Sequence, residues 1–145
     1  MRSPSSAPIG SSWVAAHYLD ASALVKLAIE EAESGPLRRF VIESDLVTSI
    51  IAAVEVPRAA RRVAAGDRRV EEKARHAVDE AVLLELDSHI IERANDVEPE
   101  TLPALDAIHL ATALAYGERL EAFVCYDVRL ADAARAAGLS VASPQ

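Results

Sequence analysis

The sequence is poor in several of the features that define large protein classes. It contains a single cysteine, Cys125, so no disulfide can form within the chain and a secreted disulfide scaffold is excluded. No apolar run approaches the roughly 20 residues that a membrane-spanning helix needs. Aromatic residues make up only 4% of the chain, which leaves little for a surface that stacks nucleic-acid bases on many rings.

Several sequence motifs are missing as well. The chain has no G-x-G-x-x-G or P-loop motif, which would indicate nucleotide binding, and no G-x-S-x-G motif of a serine hydrolase. Residues 1–13 are rich in serine, proline and glycine but lack the apolar core of a secretory signal. We therefore expect a flexible leader and a cytoplasmic protein without a membrane partner. Residues 14–145 have the length and composition of one globular domain.

Charge is distributed unevenly along the chain. It carries 15 Lys and Arg against 23 Asp and Glu, a formal net charge of −8, which argues against a polyanionic partner. Seven of the cations nevertheless fall between positions 58 and 75, beside only three acidic residues. This basic region is either a solvated helical face or an electrostatic contact for a polyanion.

Strands and helices alternate along the sequence. Short apolar runs predict strands at 14–19, 45–48, 82–86, 123–126 and 139–142. Longer segments predict helices at 21–29, 33–43, 49–65, 68–81, 88–95, 104–116 and 128–137. Ser49, Asp67 and Ser88 are expected to cap helices, and Pro57 is expected to kink or restart the third helix. The alternation predicts an α/β fold with a central parallel β-sheet of about five strands and helices on both faces.

Four carboxylates fall at related positions in this pattern. Asp20 and Asp127 end predicted strands, while Glu55 and Asp106 lie early in helices. In parallel α/β sheets such positions meet at the carboxyl edge of the strands. Each acid lies in apolar sequence, where a carboxylate is costly unless it is paired or bound to a cation. One such acid alone would be interpreted as a helix cap, but four at one edge indicate a cation site.

The residue types indicate which metal would bind. The four histidines are scattered and the lone cysteine has no partner at zinc spacing, so Mg²⁺, or Mn²⁺ in its place, fits this set better than zinc. Such a cation implies phosphoryl chemistry, so we assign the four acids as catalytic and three of them, Asp20, Asp106 and Asp127, as metal ligands. Ser22 is interpreted as a supporting residue near the metal, and His109 as a packed, hydrogen-bonded histidine.

Four segments resemble the PIN-domain ribonucleases of the VapC toxin type. They are YLDASALVKL (18–27), VTSIIAAVEVPRAARR (47–62), LPALDAIHLATAL (102–114) and FVCYDVRLADAA (123–134). Together they span about residues 16 to 142. In that family a D-x-S motif at the first strand, a glutamate in the third helix and two further aspartates form the acidic site. The resemblance implies a PIN-like fold and places that site on Asp20 with Ser22, Glu55, Asp106 and Asp127.

The resemblance also implies an activity and partners. It implies a Mg²⁺-dependent endoribonuclease that is the toxin of a toxin–antitoxin pair, neutralised by a VapB-type antitoxin, and it implies a homodimer. RNA contacts are then expected in the basic region, at Arg58, Arg61, Arg62 and Arg68. The family often has threonine at the position of Cys125, so a polar contact at the site is expected to be weaker here.

Two other functions stay open on sequence grounds. One is a receiver-like or phosphohydrolase α/β domain, in which a strand-end aspartate is itself phosphorylated. That chemistry usually needs a lysine near the acids, and neither Lys26 nor Lys73 is well placed for it. The other is a non-catalytic PIN-like binding scaffold, against which the intact set of four acids argues.

Overall fold

The computed structural model describes residues 16–145 of the chain, and they form five strands, seven α-helices and a 3₁₀ helix. The strands are β1 (Ala16–Leu19), β2 (Asp45–Ser49), β3 (Val82–Leu84), β4 (Leu120–Val124) and β5 (Val141–Ala142). The helices are α1 (Ala21–Ala28), α2 (Ser34–Val41), α3 (Ala52–Val63), α4 (Arg68–Glu80), α5 (Ser88–Asp96), α6 (Ala104–Tyr116) and α7 (Val128–Ala136), and the 3₁₀ helix is Gly117–Arg119. The predicted leader at 1–13 and the first two residues of the predicted first strand lie outside the described residues.

The five strands run parallel in one sheet of order β3-β2-β1-β4-β5. The chain extends the sheet from β1 to β3 in one direction and then returns to add β4 and β5 on the other side. This reversal lies between β1 and β4. In open α/β sheets, ligands bind beside the carboxyl ends of the strands at such a point. The predicted fold class is confirmed.

Two apolar layers pack the helices on opposite faces of the sheet. Side chains alternate along a strand, and in β1 Tyr18 enters one layer while Leu19 enters the other. The first layer includes Leu110 from α6 and Leu130 from α7, and the second includes Leu24 from α1. Because β1 is covered on both sides, the residue that follows it is held in place by the core.

Two helix caps differ from the prediction. Ser49 is the last residue of β2 rather than the cap of α3, which begins at Ala52 without a side-chain cap. Ser88 is the first residue of α5, and the Asp87 carboxylate accepts the capping hydrogen bond, from Ile90 N at 2.9 Å. A carboxylate caps a helix as well as a hydroxyl does, so the local sequence did not distinguish Asp87 from its neighbour.

Other boundaries agree more closely or shift for a clear reason. The Asp67 cap of α4 is confirmed. Pro57 lies inside α3, which continues to its end without a restart. β4 stops at Val124 because its pairing with β5 stops there, so residues 125–127 are a loop rather than strand. No helix in the described part of the chain is long and apolar enough to cross a membrane.

Candidate active site

Two aspartates lie at the carboxyl ends of the neighbouring central strands. Asp20 follows β1 and caps α1, and Asp127 caps α7 in the loop after β4. The Asp20 N–H donates to the Val124 carbonyl oxygen at 3.2 Å, so contact between the strands continues as far as the aspartate. The reversal of strand order therefore brings both aspartates to one edge of the sheet.

The Asp20 carboxylate is buried and fully hydrogen-bonded. Its Oδ1 accepts from Ser22 Oγ at 2.6 Å and from Ala23 N at 3.0 Å, and its Oδ2 accepts from Cys125 Sγ at 3.3 Å. Burial raises the pKa of Asp20 above its ordinary 3.8, and these hydrogen bonds and the nearby His109 counteract part of that rise. The bonds fix the orientation of the carboxylate at the strand end.

Ser22 and Cys125 connect the ends of the two strands. Besides donating to Asp20, Ser22 Oγ accepts a hydrogen bond from Tyr126 N at 3.1 Å, a contact that the sequence did not indicate. The Cys125 thiol also lies 3.4 Å from the Asp127 carbonyl oxygen. Burial, and then the charge of Asp20, raise the pKa of this thiol far above its ordinary 9.0, so it stays protonated and remains a donor.

The Asp106 carboxylate lies in the first turn of α6 and is half-buried. Within residues 16–145 it makes no hydrogen bond and no ion pair. Burial is the largest cause that raises its pKa above the ordinary 3.8, followed by the negative charges of Asp127 and Asp20, with a smaller contribution from Glu55. The charge of His109 opposes them. The four predicted acids therefore lie within electrostatic reach of one another.

The Glu55 carboxylate, in the first turn of α3, is held by a chain of buried groups. Its Oε1 lies 2.6 Å from His109 Nε2 on α6, and Nδ1 of the same ring lies 2.7 Å from the Tyr18 hydroxyl on β1. His109 and Tyr18 are 1% and 0% exposed. The histidine is packed and hydrogen-bonded, in agreement with its interpretation from the sequence. Tyr18 was not singled out there, because these partners are separated by 54 and 91 residues and no local pattern indicates them.

The chemistry of the donor set fits a hard divalent cation. Carboxylates offer only oxygen, and a cation would offset both causes that raise the pKa of Asp106, its burial and the repulsion of its neighbours. Among the residues that the structure describes, no three His, Cys, Asp or Glu side chains are arranged as a preformed metal site. Mg²⁺ does not need one, since it keeps several waters and binds through one or two carboxylates together with substrate phosphates.

A cavity of about 650 Å³ opens beside the acids. Glu55 and Asp127 line it, together with apolar side chains that include Val54 and Leu105. Val54 and Leu105 are themselves exposed. The cavity therefore combines negative charge with an apolar wall.

The four arginines predicted to contact RNA divide into two pairs. Arg58 and Arg62 line the cavity beside the acids. Arg61 and Arg68 do not line it; Arg61 borders a smaller pocket that Arg58 and Arg62 also line, and Arg68 begins α4. Only half of the predicted set thus lies near the acidic edge, which is the carboxyl edge of the sheet with its four acids.

Comparison with known sequences identifies relatives along almost the entire chain. Residues 17–136 match the PIN domain family. Ribonuclease VapC46 of Mycobacterium tuberculosis (strain ATCC 25618 / H37Rv) is 40% identical over 132 residues, which cover 90% of this chain and 99% of that protein. Ribonuclease VapC47 of Mycobacterium tuberculosis (strain CDC 1551 / Oshkosh) is 39% identical over 132 residues, 88% of this chain and 96% of that protein.

Solved structures share the fold at lower sequence identity. A toxin–antitoxin complex from Klebsiella pneumoniae contains a chain with a TM-score of 0.65 and 23% identity, covering 89% of this chain and 98% of that one. VapC20 of Mycobacterium tuberculosis, a toxin that cleaves the sarcin–ricin loop, has a TM-score of 0.66 and 18% identity, covering 85% of this chain and 95% of that one. At these identities the likeness establishes the architecture alone.

Proposed function

The chain belongs to the PIN-domain family of VapC ribonucleases, toxins of toxin–antitoxin systems, and from that premise we propose how it acts. It hydrolyses RNA phosphodiester bonds, with Asp20, Glu55, Asp106 and Asp127 as the catalytic acids. The three aspartates are the ligands of a divalent cation. The acids are carried at the starts of four different helices, so activity requires the complete fold.

The observation that carries this proposal is the environment of the Asp106 carboxylate. A helix-capping aspartate accepts hydrogen bonds from helix N–H groups, and Asp20 and Asp127 accept such bonds whatever else they do. Asp106 has no such partner in the described part of the chain, and burial and then the neighbouring acids raise its pKa. A half-buried carboxylate kept among other carboxylates favours a cation-binding role.

Mg²⁺ is the proposed cofactor, with Mn²⁺ as a substitute. When bound, such a cation supplies an activated water and neutralises charge on the reacting phosphate. The protein contributes orientation, because Ser22 and Ala23 fix the Asp20 carboxylate. Glu55 is the group proposed to take a proton from the attacking water, since its side chain is 20% exposed and lines the cavity.

The cavity supports RNA as the substrate. Its volume of about 650 Å³ is large enough for a nucleotide, and Arg58 and Arg62 line it beside the acids. We propose that these two arginines contact RNA phosphates, which would offset the net charge of −8 at the place where the substrate binds.

The test compares single aspartate replacements in an RNA cleavage assay with Mg²⁺ and total bacterial RNA. Asp20→Asn and Asp106→Asn are each expected to reduce cleavage by at least about 100-fold, because each removes a charge that acts in the reaction. Asp87→Asn is the matched control, since it changes an exposed capping aspartate of α5 that is not one of the four acids. EDTA should abolish cleavage and Mn²⁺ restore it. Undiminished cleavage by Asp106→Asn would contradict the acidic site, and full activity in EDTA would exclude the metal.

Phosphorylation of a strand-end aspartate is less well supported. Lys26 lines the cavity, but its Nζ pairs with Glu31 at 2.8 Å and with Glu33 at 3.2 Å. Its amine is also 4.8 Å from the centre of the Tyr126 ring. The lysine that such chemistry needs is therefore engaged elsewhere.

A VapB-type antitoxin and a second copy of the chain are the proposed protein partners. The acids that line the cavity suit an antitoxin arginine, because guanidinium pairs with carboxylate through two hydrogen bonds.

Exposed apolar side chains such as Val54 and Val63 on α3 offer contact area for a homodimer. Light scattering of the purified chain should give twice 15.5 kDa. A mass of one chain at micromolar concentration would contradict the homodimer.

A further inference from the structure

Tyr18, His109 and Glu55 form one hydrogen-bonded chain from the centre of the sheet to the acidic edge. The two links measure 2.7 Å, between the Tyr18 hydroxyl and Nδ1, and 2.6 Å, between Nε2 and Glu55 Oε1. The Tyr18 ring is fixed in turn by stacking on Phe123, with centroids 5.2 Å apart and planes inclined by 8°. The Tyr18 side chain, at the buried end of this series of hydrogen bonds, therefore has little freedom to move.

The direction of the hydrogen bonds follows from their chemistry. The Tyr18 hydroxyl carries its proton at neutral pH, as a phenol ordinarily does, and it donates that proton to Nδ1 when the imidazole is neutral. The ring proton then lies on Nε2, which donates to Glu55. A protonated ring donates from both nitrogens, so Nε2 is the donor to Glu55 in either state. The opposite tautomer would place the Nε2 lone pair against a carboxylate oxygen.

We propose that His109 is a positioning residue for Glu55 and that Tyr18 holds the imidazole in the orientation that this requires. The inference rests on the proposed role of Glu55 in RNA hydrolysis. Among the acids, Asp20 and Asp127 are oriented by backbone N–H groups at helix starts. Glu55 has a longer side chain and no such cap. Its orientation depends on the hydrogen bond with the imidazole, just as the residues that hydrogen-bond to active-site side chains commonly fix the orientation of those side chains.

The test exploits two substitutions that mimic different nitrogens of the ring. Gln at position 109 can place an amide N–H near Nε2, whereas Asn reaches only the position of Nδ1. His109→Asn should therefore lower kcat by about 10-fold to 100-fold, while KM for a quenched RNA oligonucleotide stays within about threefold. His109→Gln should recover most of kcat. His89→Asn is the control, because His89 is exposed on α5.

Several outcomes would overturn the proposal. One is equal loss of kcat in His109→Asn and His109→Gln, with melting temperatures close to that of the unmodified chain. Another is an unchanged kcat in both. If both variants fail to fold, Tyr18→Phe decides, since it removes one hydroxyl and keeps the stacked ring. It should lower kcat less than His109→Asn, and an unaltered kcat overturns the role of Tyr18.

A spectroscopic measurement separates this inference from the proposed function. In ¹⁵N spectra of the whole chain, His109 should carry its proton on Nε2. Glu55→Gln should shift the Nε2 resonance, and Tyr18→Phe the Nδ1 resonance. A proton on Nδ1 alone overturns the inference even if the chain cuts RNA. Failure to cut any RNA with Mg²⁺ or Mn²⁺ overturns the proposed function, while the spectra still report whether Glu55 is held.

Discussion

The acidic edge holds its four carboxylates in three different ways. Asp20 and Asp127 accept hydrogen bonds from helix N–H groups, and Glu55 accepts one from an imidazole. Asp106 has no hydrogen-bond partner within residues 16–145. The helix N–H groups favour the charged form of the two capping carboxylates, whereas Asp106 lacks such a partner and retains the cost of its burial and the repulsion of its neighbours. At the residue scale, Asp106 is therefore the side chain that gains most from a cation.

Replacement of Asp106 should reveal the cost of its burial and of this repulsion through the pH dependence of stability. The folded pKa is raised above the ordinary 3.8, so the folded chain binds the proton more tightly than the unfolded chain does. Ionised Asp106 then lowers stability: the penalty is absent below 3.8, grows as pH rises through the folded pKa, and stays constant above it. Asp106→Asn removes the penalty. In metal-free buffer, its advantage in melting temperature over the unmodified chain should increase from acid to neutral pH.

Calorimetry at a series of pH values measures that difference. Asp87→Asn serves again as the control, because Asp87 is exposed and its carboxylate accepts a capping hydrogen bond from Ile90 N. An advantage of Asp106→Asn that does not vary with pH would contradict the raised pKa of this carboxylate.

At the scale of elements, α3 presents two different faces. Glu55, Arg58 and Arg62 are spaced by three and four residues, so they share one face, and this face borders the cavity. Arg61 precedes Arg62 by one residue and therefore points in another direction. The helix thus sets an acid and two cations together at the site, while its third arginine lies outside.

This arrangement predicts different effects for two pairs of arginines. Arg58→Gln with Arg62→Gln should weaken binding of single-stranded RNA and reduce the slope of log K against log salt by about 1.4, as expected for two lost phosphate contacts. Arg61→Gln with Arg68→Gln removes the same charge and should leave the slope nearly unchanged. Fluorescence anisotropy in an Asp106→Asn background measures binding without cleavage. An unchanged affinity and salt slope in both pairs would identify the whole region as a solvated surface, and an equal loss in both pairs would contradict the difference between them.

The order of elements could be predicted from the sequence because each depends on local features. Apolar runs and turn residues indicated all five strands and seven helices, although β4 began and ended earlier than predicted. The cap at Asp87 was missed by one residue, since Ser88 offers a similar group. The strand-end rule indicated a common edge for the four acids. It could not indicate the contacts of His109, which join residues far apart in the chain through packing of α3, α6 and β1.

At the scale of the whole molecule, the topology explains why these acids meet. The sheet order reverses between β1 and β4. After β1 and after β4 the chain continues into different helices, and a cleft forms between the carboxyl ends of these two strands. Two apolar layers cover both faces of β1. The apolar core on both faces of the sheet therefore compensates for the repulsion among the acids at its edge. Because such a domain unfolds cooperatively, a substitution at this edge should change the melting temperature of the whole molecule.

Metal binding should consequently reverse the order in which the unmodified chain and Asp106→Asn melt. Without metal, Asp106→Asn is expected to melt above the unmodified chain. A cation that binds only the folded state stabilises it by about 2.7 kcal/mol at a concentration 100 times its dissociation constant. For a chain of this length that raises the melting temperature by about 5 to 10 °C. Mg²⁺ or Mn²⁺ should therefore lift the unmodified chain above Asp106→Asn, whose own rise should be small because it has lost a proposed ligand. Scanning fluorimetry at constant ionic strength follows both proteins. Parallel rises in the two, with no exchange of order, would show that the cation binds somewhere other than the acidic edge.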